Sequence, residues 1–533
     1  MKKSRTKNKK TYVELFCGCG GMSLGLENAG FECLLANDVS PMAAETFAYN
    51  LVEGAREGTP PSPSNLGGDY FNFLVEPSYE SSSQSDWKTF RDWKSYPKEA
   101  EKITLAAKEQ IISGGDKKLL VGDAGLLSKL ITELKPSRLE GIDLLAGGPP
   151  CQSFSLAGKR EKDNPRNQLF TSFVSVAEAL KPKVILFENV LGITSPFRGE
   201  LGKKYHPWFE VCKAFRLAGY VPIPSLVNAS QFGVPQSRSR FIMIALREDI
   251  ARSYLSESSC LSPLANALEL GLSNYGRRLE WKSGDDQRLI FRPEGASSEW
   301  PELLFPQLSN QGLISVGKAI GDIKATGENV RFRPSAYSKK LNDLLLCGFE
   351  VKDENRARNH NSRRHGNRTS ARFRLMRLLA ENGWNAKSMA EVVANKKRVF
   401  KDLYGKELLS PDSSDTVLVT KNNRKAVYAL VEQLASAKHM QRCLDKSRLA
   451  PAQLSIPDDF VHWADDRVLT IREMARIQSF PDWFIFRSKE TTGGDGRAFE
   501  VPQYTQVGNA VPPLLSKSFG NSIKDFLEMR LFE

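Results

Sequence analysis

Gly147-Gly148-Pro149-Pro150-Cys151-Gln152-Ser153-Phe154-Ser155 is the stretch from which the 533-residue chain is best read. It follows an apolar run, Ile142 to Ala146, whose length and glycine boundary fit a buried strand. Two glycines free the backbone to turn, and two prolines then fix φ just ahead of Cys151. A cysteine on a stiff loop past the end of a strand stands where open α/β sheets hold their ligands. A lone cysteine beside a Pro-rich turn is more often a small buried side chain. The surrounding motifs decide between these readings.

Upstream, Tyr12 to Phe16 is strand-like, and Cys17-Gly18-Cys19-Gly20-Gly21-Met22-Ser23-Leu24-Gly25 leads into helical spacing as far as Ala29. Strand, glycine-rich turn and helix let a ligand approach backbone at a helix N-terminus, although such a turn would suit NAD equally. A second strand, Glu32 to Ala36, ends in Asn37-Asp38, the place of a ribose-binding carboxylate. Ser40-Pro41 then caps and starts a helix. Leu119 to Asp123 is another strand ending in a carboxylate, which is often only a helix cap. Downstream, the buried strand Val184 to Phe187 runs into Glu188-Asn189-Val190. A carboxylate there is costly to bury without a partner or a task. Gln236-Ser237-Arg238-Ser239-Arg240 enters the strand Phe241 to Ala245, and alternation puts both arginines on one side. They could equally be a solvated strand edge. Thr470 and Glu473 form a capping box within Arg467 to Pro481. Gln506-Val507-Gly508-Asn509-Ala510-Val511-Pro512-Pro513 precedes an amphipathic helix reaching about Leu527.

In this order the motifs resemble those of DNA cytosine-5 methyltransferases of bacterial and phage type. The resemblance implies an α/β fold: a Rossmann-like, doubly wound mixed sheet that uses S-adenosylmethionine, with a smaller target-recognition domain. It implies Cys151 as nucleophile on carbon 6 of a flipped-out cytosine, so that carbon 5 can attack the cofactor's methyl. Glu188 would grip ring nitrogen 3 and the exocyclic amine, Arg240 the carbonyl, with Arg238 beside it. Phe16, Gly18, Cys19, Gly20 and Gly21 would line the cofactor, Asp38 would hold its ribose, and Val39 would face its adenine. Asp123 with Ala124 would meet the adenine amino group, and Gly148 and Pro150 would close the site. Asn509 would support the catalytic loop or flipped nucleotide and border the cofactor, with Val511 at its methionine end. Two positions depart from the pattern: Glu14 replaces the commoner Asp, and Val39 an aromatic. No side chain is an obvious base for the carbon-5 proton, which leaves water.

The same resemblance sets the domain plan. Residues 1–250 would be catalytic, with a surface insertion at 51–115 that contains a helix from about Pro97 to Ile112; Trp87, Arg91 and Trp93 within it have no assigned task. Residues 251–465 would form the recognition domain and 466–533 the ninth and tenth motifs, the last helix returning to the catalytic domain. The middle region carries Arg356, Arg358, His360, Arg363, Arg364, His365, Arg368, Arg372, Arg374 and Arg377. These suit phosphates and guanine edges, or else a solvated helix face. The loop after Cys151, with Lys159 and Arg160, would close over DNA.

A net charge of +13 and a pI near 9.2 agree with a polyanionic partner, here double-stranded DNA. No apolar run reaches membrane-span length and no signal core follows the basic start, so a cytoplasmic enzyme is expected. The eight cysteines are scattered without Cys-x-x-Cys pairs, so reduced thiols and no metal are expected. A monomer in a restriction–modification or phage-defence setting, with a cognate endonuclease encoded elsewhere, is typical of the family. An RNA methyltransferase of the same fold and a catalytically silent DNA binder are the alternatives.

Overall fold

The computed structural model describes residues 9–52, 71–73, 100–113, 119–150, 169–198, 204–257, 262–276, 282, 284–293, 300–308, 312–324, 326–327, 330–345, 356–384, 389–434, 441–453, 455–493, 496 and 500–529. Its frame is an eight-stranded sheet. In chain order the strands are β1 (Lys10–Leu15), β2 (Phe31–Asp38), β3 (Phe71–Phe73), β4 (Leu119–Val121), β5 (Leu144–Gly147), β6 (Val184–Val190), β7 (Tyr220–Asn228) and β8 (Ser239–Arg247). In space they run β3-β4-β2-β1-β5-β6-β8-β7. The first six are parallel, and β8 is antiparallel to both β6 and β7. The sheet is therefore mixed and doubly wound, as expected. The order reverses at β1, and the crevice beside its carboxyl end is the ligand-binding place of this architecture.

Both faces are covered, because parallel strands buried on two sides need apolar residues at every position. Tyr12, Ala36 and Ala146 belong to one apolar cluster; Val13, Leu15, Leu35 and Leu145 belong to the other. Helices α1 (Gly21–Asn28), α2 (Pro41–Leu51), α3 (Ala100–Ser113), α4 (Ala124–Leu134), α5 (Leu169–Leu180) and α6 (Pro207–Leu217) connect the strands. Ser40 caps α2 by accepting from the Ala43 N–H. The 51–115 insertion supplies α3 and also the edge strand β3, which pairs with β4. It is thus part of the sheet as well as of the surface, a point the sequence reading lacked because a three-residue strand has no periodicity to detect. Trp87, Arg91 and Trp93 lie outside the described residues.

The sheet's core continues past residue 250. Leu264, Ala265 and Leu268 lie in its first cluster, as do Val316, Ile320 and Leu341. A separate cluster, from Ala371 to Val468, forms around α7 (Asn367–Glu381). The chain then returns through α8 (Ile471–Ile477), α9 (Gln503–Asn509) and α10 (Pro513–Leu527). Helix α10 lies against α1 so closely that a Cβ on Gly25 would overlap Ser516 Oγ and lie 2.5 Å from the Pro513 carbonyl oxygen. A Cβ on Gly520 would fall 2.8 Å from that of Ala29. Small residues on both helices permit this approach, which places the Val511 carbonyl against Gly21 in the glycine-rich turn.

Candidate active site

The turn after β1 is built by left-handed backbone. Gly18 and Gly20 have φ of 55° and 94°, which glycine adopts freely. Phe16 adopts φ 57°, a conformation that costs a non-glycine residue of order 1–3 kcal/mol and clusters at binding sites. The Gly18 N–H donates to Asp38 Oδ2 at 2.8 Å and the Ser40 N–H to Asp38 Oδ1 at 2.8 Å, which fixes that carboxylate beside the turn. Burial raises the Asp38 carboxyl, opposed by these N–H donors. Each oxygen still has a lone pair for a hydroxyl. Beside Gly18 the space is open, with no atom within 4 Å of where a Cβ would sit, and Val39 is 46% exposed. A carboxylate, an open glycine turn and an exposed apolar side chain together fit a nucleoside, the adenosyl part of the implied cofactor. Burial pushes the Cys19 thiol up to about 12, and its S–H donates to the Gln506 carbonyl.

Asp123 caps α4: its Oδ1 accepts from the Gly125 N–H at 2.8 Å and the Leu126 N–H at 3.1 Å. The cap role is therefore realised, and any ligand contact would fall to Oδ2. Ala124 is buried at the first helical position. Asn37, for which the sequence suggests no role of its own, donates to the Leu120 and Gly122 carbonyls and so ties β2 to β4 below the cradle.

Glu188 and Arg240 come together from neighbouring antiparallel strands. Arg240 pairs in register with Val190, and its Nε lies 2.7 Å from Glu188 Oε1 in a largely buried ion pair. Burial pulls the Arg240 guanidinium down, and Glu188 opposes the shift. Asn189 Nδ2 donates to the Pro149 carbonyl at 3.2 Å, and a Cβ on Gly148 would lie 2.8 Å from Glu188 Oε2. The Glu-Asn-Val strand thus grips the loop that leads to Cys151, with Pro150 exposed at its edge. Cys151, Lys159 and Arg160 themselves lie outside the described residues.

Arg238 does not present a free fork. Its Nη1 donates to the Gln453 carbonyl at 2.8 Å and its Nη2 to the Gly508 carbonyl at 2.7 Å, and it is 3% exposed. It clamps β8 to the residue before Asn509. Asn509 is exposed at the end of α9, and Val511 follows it beside Gly21. Three buried glutamines do similar work. Gln236 donates to Gln478 Oε1 at 2.7 Å and accepts from the Gln453 N–H at 2.7 Å. Gln478 donates to the Val507 and Ala510 carbonyls. Gln506 accepts from Thr46 Oγ1 at 2.6 Å and donates to the Met42 carbonyl. A glutamine within a motif carries no periodic signal of burial, so these roles are not legible in the sequence.

The predicted DNA-facing arginines divide. Arg363 pairs with Asp458 at 2.6 Å, and Arg368 donates to the Gln433 carbonyl at 2.7 Å. Arg374 and Arg377 both pair with Asp466, and Arg372 donates to the Leu434 carbonyl. Arg356 sits half-buried in a two-residue strand opposite Arg331. Arg364 is exposed and Arg358 half-exposed, with no internal partner for either guanidinium among the described residues. His360 is buried with Nδ1 2.7 Å from Thr470 Oγ1. No cluster of metal-ligating side chains occurs among the described residues.

The family profile described as C-5 cytosine-specific DNA methylase matches residues 11–58 and 128–525. Among curated proteins the chain is 26% identical over 518 residues to the type II methyltransferase M.DdeI of Desulfomicrobium norvegicum, covering 97% of this chain and 89% of that one. It is 24% identical over 520 residues to M.XorII of Xanthomonas oryzae pv. oryzae, covering 97% and 85%. Among solved structures it resembles one described as a DNA modification methyltransferase encoded within an E. coli prophage, with TM-score 0.51, 18% identity and coverage of 97% and 99%. That likeness bears on the fold.

Proposed function

The chain belongs to the C-5 cytosine-specific DNA methylase family, and from that premise we propose how its own residues carry the reaction. The target is a cytosine turned out of duplex DNA, and the methyl donor is S-adenosylmethionine, held by the turn Phe16 to Gly21, Asp38, Val39 and Asp123. The observation that carries the reading is the buried Glu188–Arg240 pair, set against Gly148-Pro149 in the turn that leads through Pro150 to Cys151. A carboxylate and a guanidinium side by side match the amidine edge and carbonyl of cytosine.

When bound, the donor supplies an electrophilic methyl group. The Cys151 thiolate adds to carbon 6, carbon 5 becomes nucleophilic, and transfer of the methyl to it would break the sulfur–methyl bond and leave S-adenosylhomocysteine. Glu188, protonated or sharing its proton with the base, bonds ring nitrogen 3 through that proton, accepts from the exocyclic amine and offsets charge that develops on the ring. Arg240 orients the ring through its carbonyl. After carbon 5 is methylated, water removes the proton from that carbon, the electron pair re-forms the double bond, and the thiolate leaves carbon 6. Turning the base out of the stack costs a few kcal/mol, offset by these pocket contacts. Arg358 and Arg364 are the proposed DNA-contacting arginines with guanidiniums free to meet phosphate. The relatives named as type II methyltransferases support a protective role beside a cognate endonuclease.

The test is methyl transfer from labelled S-adenosylmethionine to unmethylated duplex DNA and, separately, to transfer RNA, with digestion to nucleosides. 5-Methyldeoxycytidine is expected, and it should vanish with Cys151→Ser. Label confined to RNA, or methyl on adenine, would overturn the proposal.

A further inference from the structure

We propose that Glu14 is a positioning residue of the methyl-donor site: its carboxyl locks the glycine-rich turn in its ligand-receiving shape by a hydrogen-bond chain to the first turn of α1. The inference rests on the cofactor reading above and adds a residue to it. Glu14 is 1% exposed one residue before the end of β1, flanked in register by Ala36 on β2 and Ala146 on β5. Two alanines leave room for a long side chain on the sheet face that α1 covers. There Ser23 Oγ donates to Glu14 Oε2, and Tyr12 OH donates to Ser23 Oγ at 2.9 Å. The chain therefore joins the strand before the turn to the helix after it and spans Phe16 to Gly21. Those six residues, including one non-glycine and two glycines in left-handed backbone, are held between the two anchor points.

No cation faces Glu14 among the described residues. The titratable groups around it are Tyr12 on its own strand, Glu27 on α1, Asp38 on β2, and the Cys17 and Cys19 thiols of the turn, both raised by burial. Burial, with Asp38 and Glu27 adding to it, pushes the Glu14 carboxyl up to about 8, against hydrogen bonds from Ser23. A buried carboxyl kept neutral at pH 7 can serve as a hydrogen-bonding strut without a counter-charge. Glutamine has the same shape and is neutral at every pH, which makes it the informative replacement.

The experiment measures binding of S-adenosylhomocysteine by calorimetry, and thermal unfolding, between pH 6 and 9 for wild type, Glu14→Gln and Glu14→Ala. Glu14→Gln should bind within a few-fold of wild type at pH 7, and Glu14→Ala about tenfold or more weaker. Wild type should lose stability as pH rises from the unfolded value near 4.5 to about 8 and level off above it, and its affinity should fall as the folded carboxyl ionises near 8. Glu14→Gln should lose that alkaline decline. Equal binding by Glu14→Ala, or an alkaline decline unchanged in Glu14→Gln, would overturn the inference. Failure of wild type itself to bind would instead overturn the cofactor reading. Should Glu14→Ala fail to fold, the pH comparison of wild type with Glu14→Gln decides alone.

Discussion

At the residue scale the site is an arrangement of groups that are expensive to bury singly and acceptable together. Glu188 and Arg240 share a pocket in which each offsets the other's desolvation. Glu188→Gln keeps the shape and removes the charge; the expected result is turnover lower by about 10² or more with S-adenosylhomocysteine binding unchanged, measured by single-turnover methyl transfer and calorimetry. Arg238 acts at one remove. Arg238→Met leaves the Gln453 and Gly508 carbonyls without their donor, and a loss of about 1–3 kcal/mol in urea unfolding is expected, with reduced turnover. The sequence placed both arginines on one side of an extended segment but could not tell which faced a ligand and which faced carbonyls. That distinction depends on Gln453 and Gly508, more than 200 residues away in sequence.

At the element scale the strand ends and caps were legible, because turn and cap chemistry is local. Ser40-Pro41, the Thr470/Glu473 capping box and the strand before Cys151 all lie where short-range rules put them. Helix α8 shows where such rules stop. Every residue from Ile471 to Ile477 is buried, so it has no polar face to reveal its orientation. Its charges are answered from the segment that follows and from distant ones: Arg472 donates to the Pro481, Phe484 and Arg358 carbonyls, and Arg476 pairs with Asp482 and Asp322. Burial alone would raise the Glu473 carboxyl, but the two-pronged Arg467 pair at 2.8 Å overcomes it and holds the group at about 2. A depressed folded pKa stabilises above the unfolded value near 4.5 and is lost as pH falls towards 2. Glu473→Gln should therefore lower stability at pH 7 and flatten the acid limb of the stability curve. Gly25→Ala probes the crossing of α1 and α10: its methyl has no room, and a loss of about 1–3 kcal/mol is expected by thermal unfolding, with weaker cofactor binding.

At the scale of the whole molecule, the last motifs close the first. Helix α10 packs on α1, Gln506 reaches α2, and Gln478 bonds the Val507 carbonyl of α9 and the Ala510 carbonyl just after it. The catalytic core is assembled from both ends of the chain, with a cluster of its own in the intervening region. The order of motifs made that closure legible. The fate of the arginine-rich stretch was not, because composition cannot separate an arginine facing phosphate from one facing Asp466. Arg364→Glu should weaken DNA binding and reduce its salt dependence by about one phosphate contact, whereas Arg377→Gln should act on stability; equilibrium binding across salt concentrations separates the two.

The most direct test of the central claim uses duplex DNA in which the target cytosine carries fluorine at carbon 5. Fluorine cannot leave as a proton does, so addition and methylation would proceed and elimination would stall. With S-adenosylmethionine present, a denaturation-stable protein–DNA adduct is predicted, with the attached nucleotide mapped by mass spectrometry to Cys151 and absent in Cys151→Ser. Methylation of ordinary duplex without any trapped adduct, or an adduct on another residue, would contradict the account.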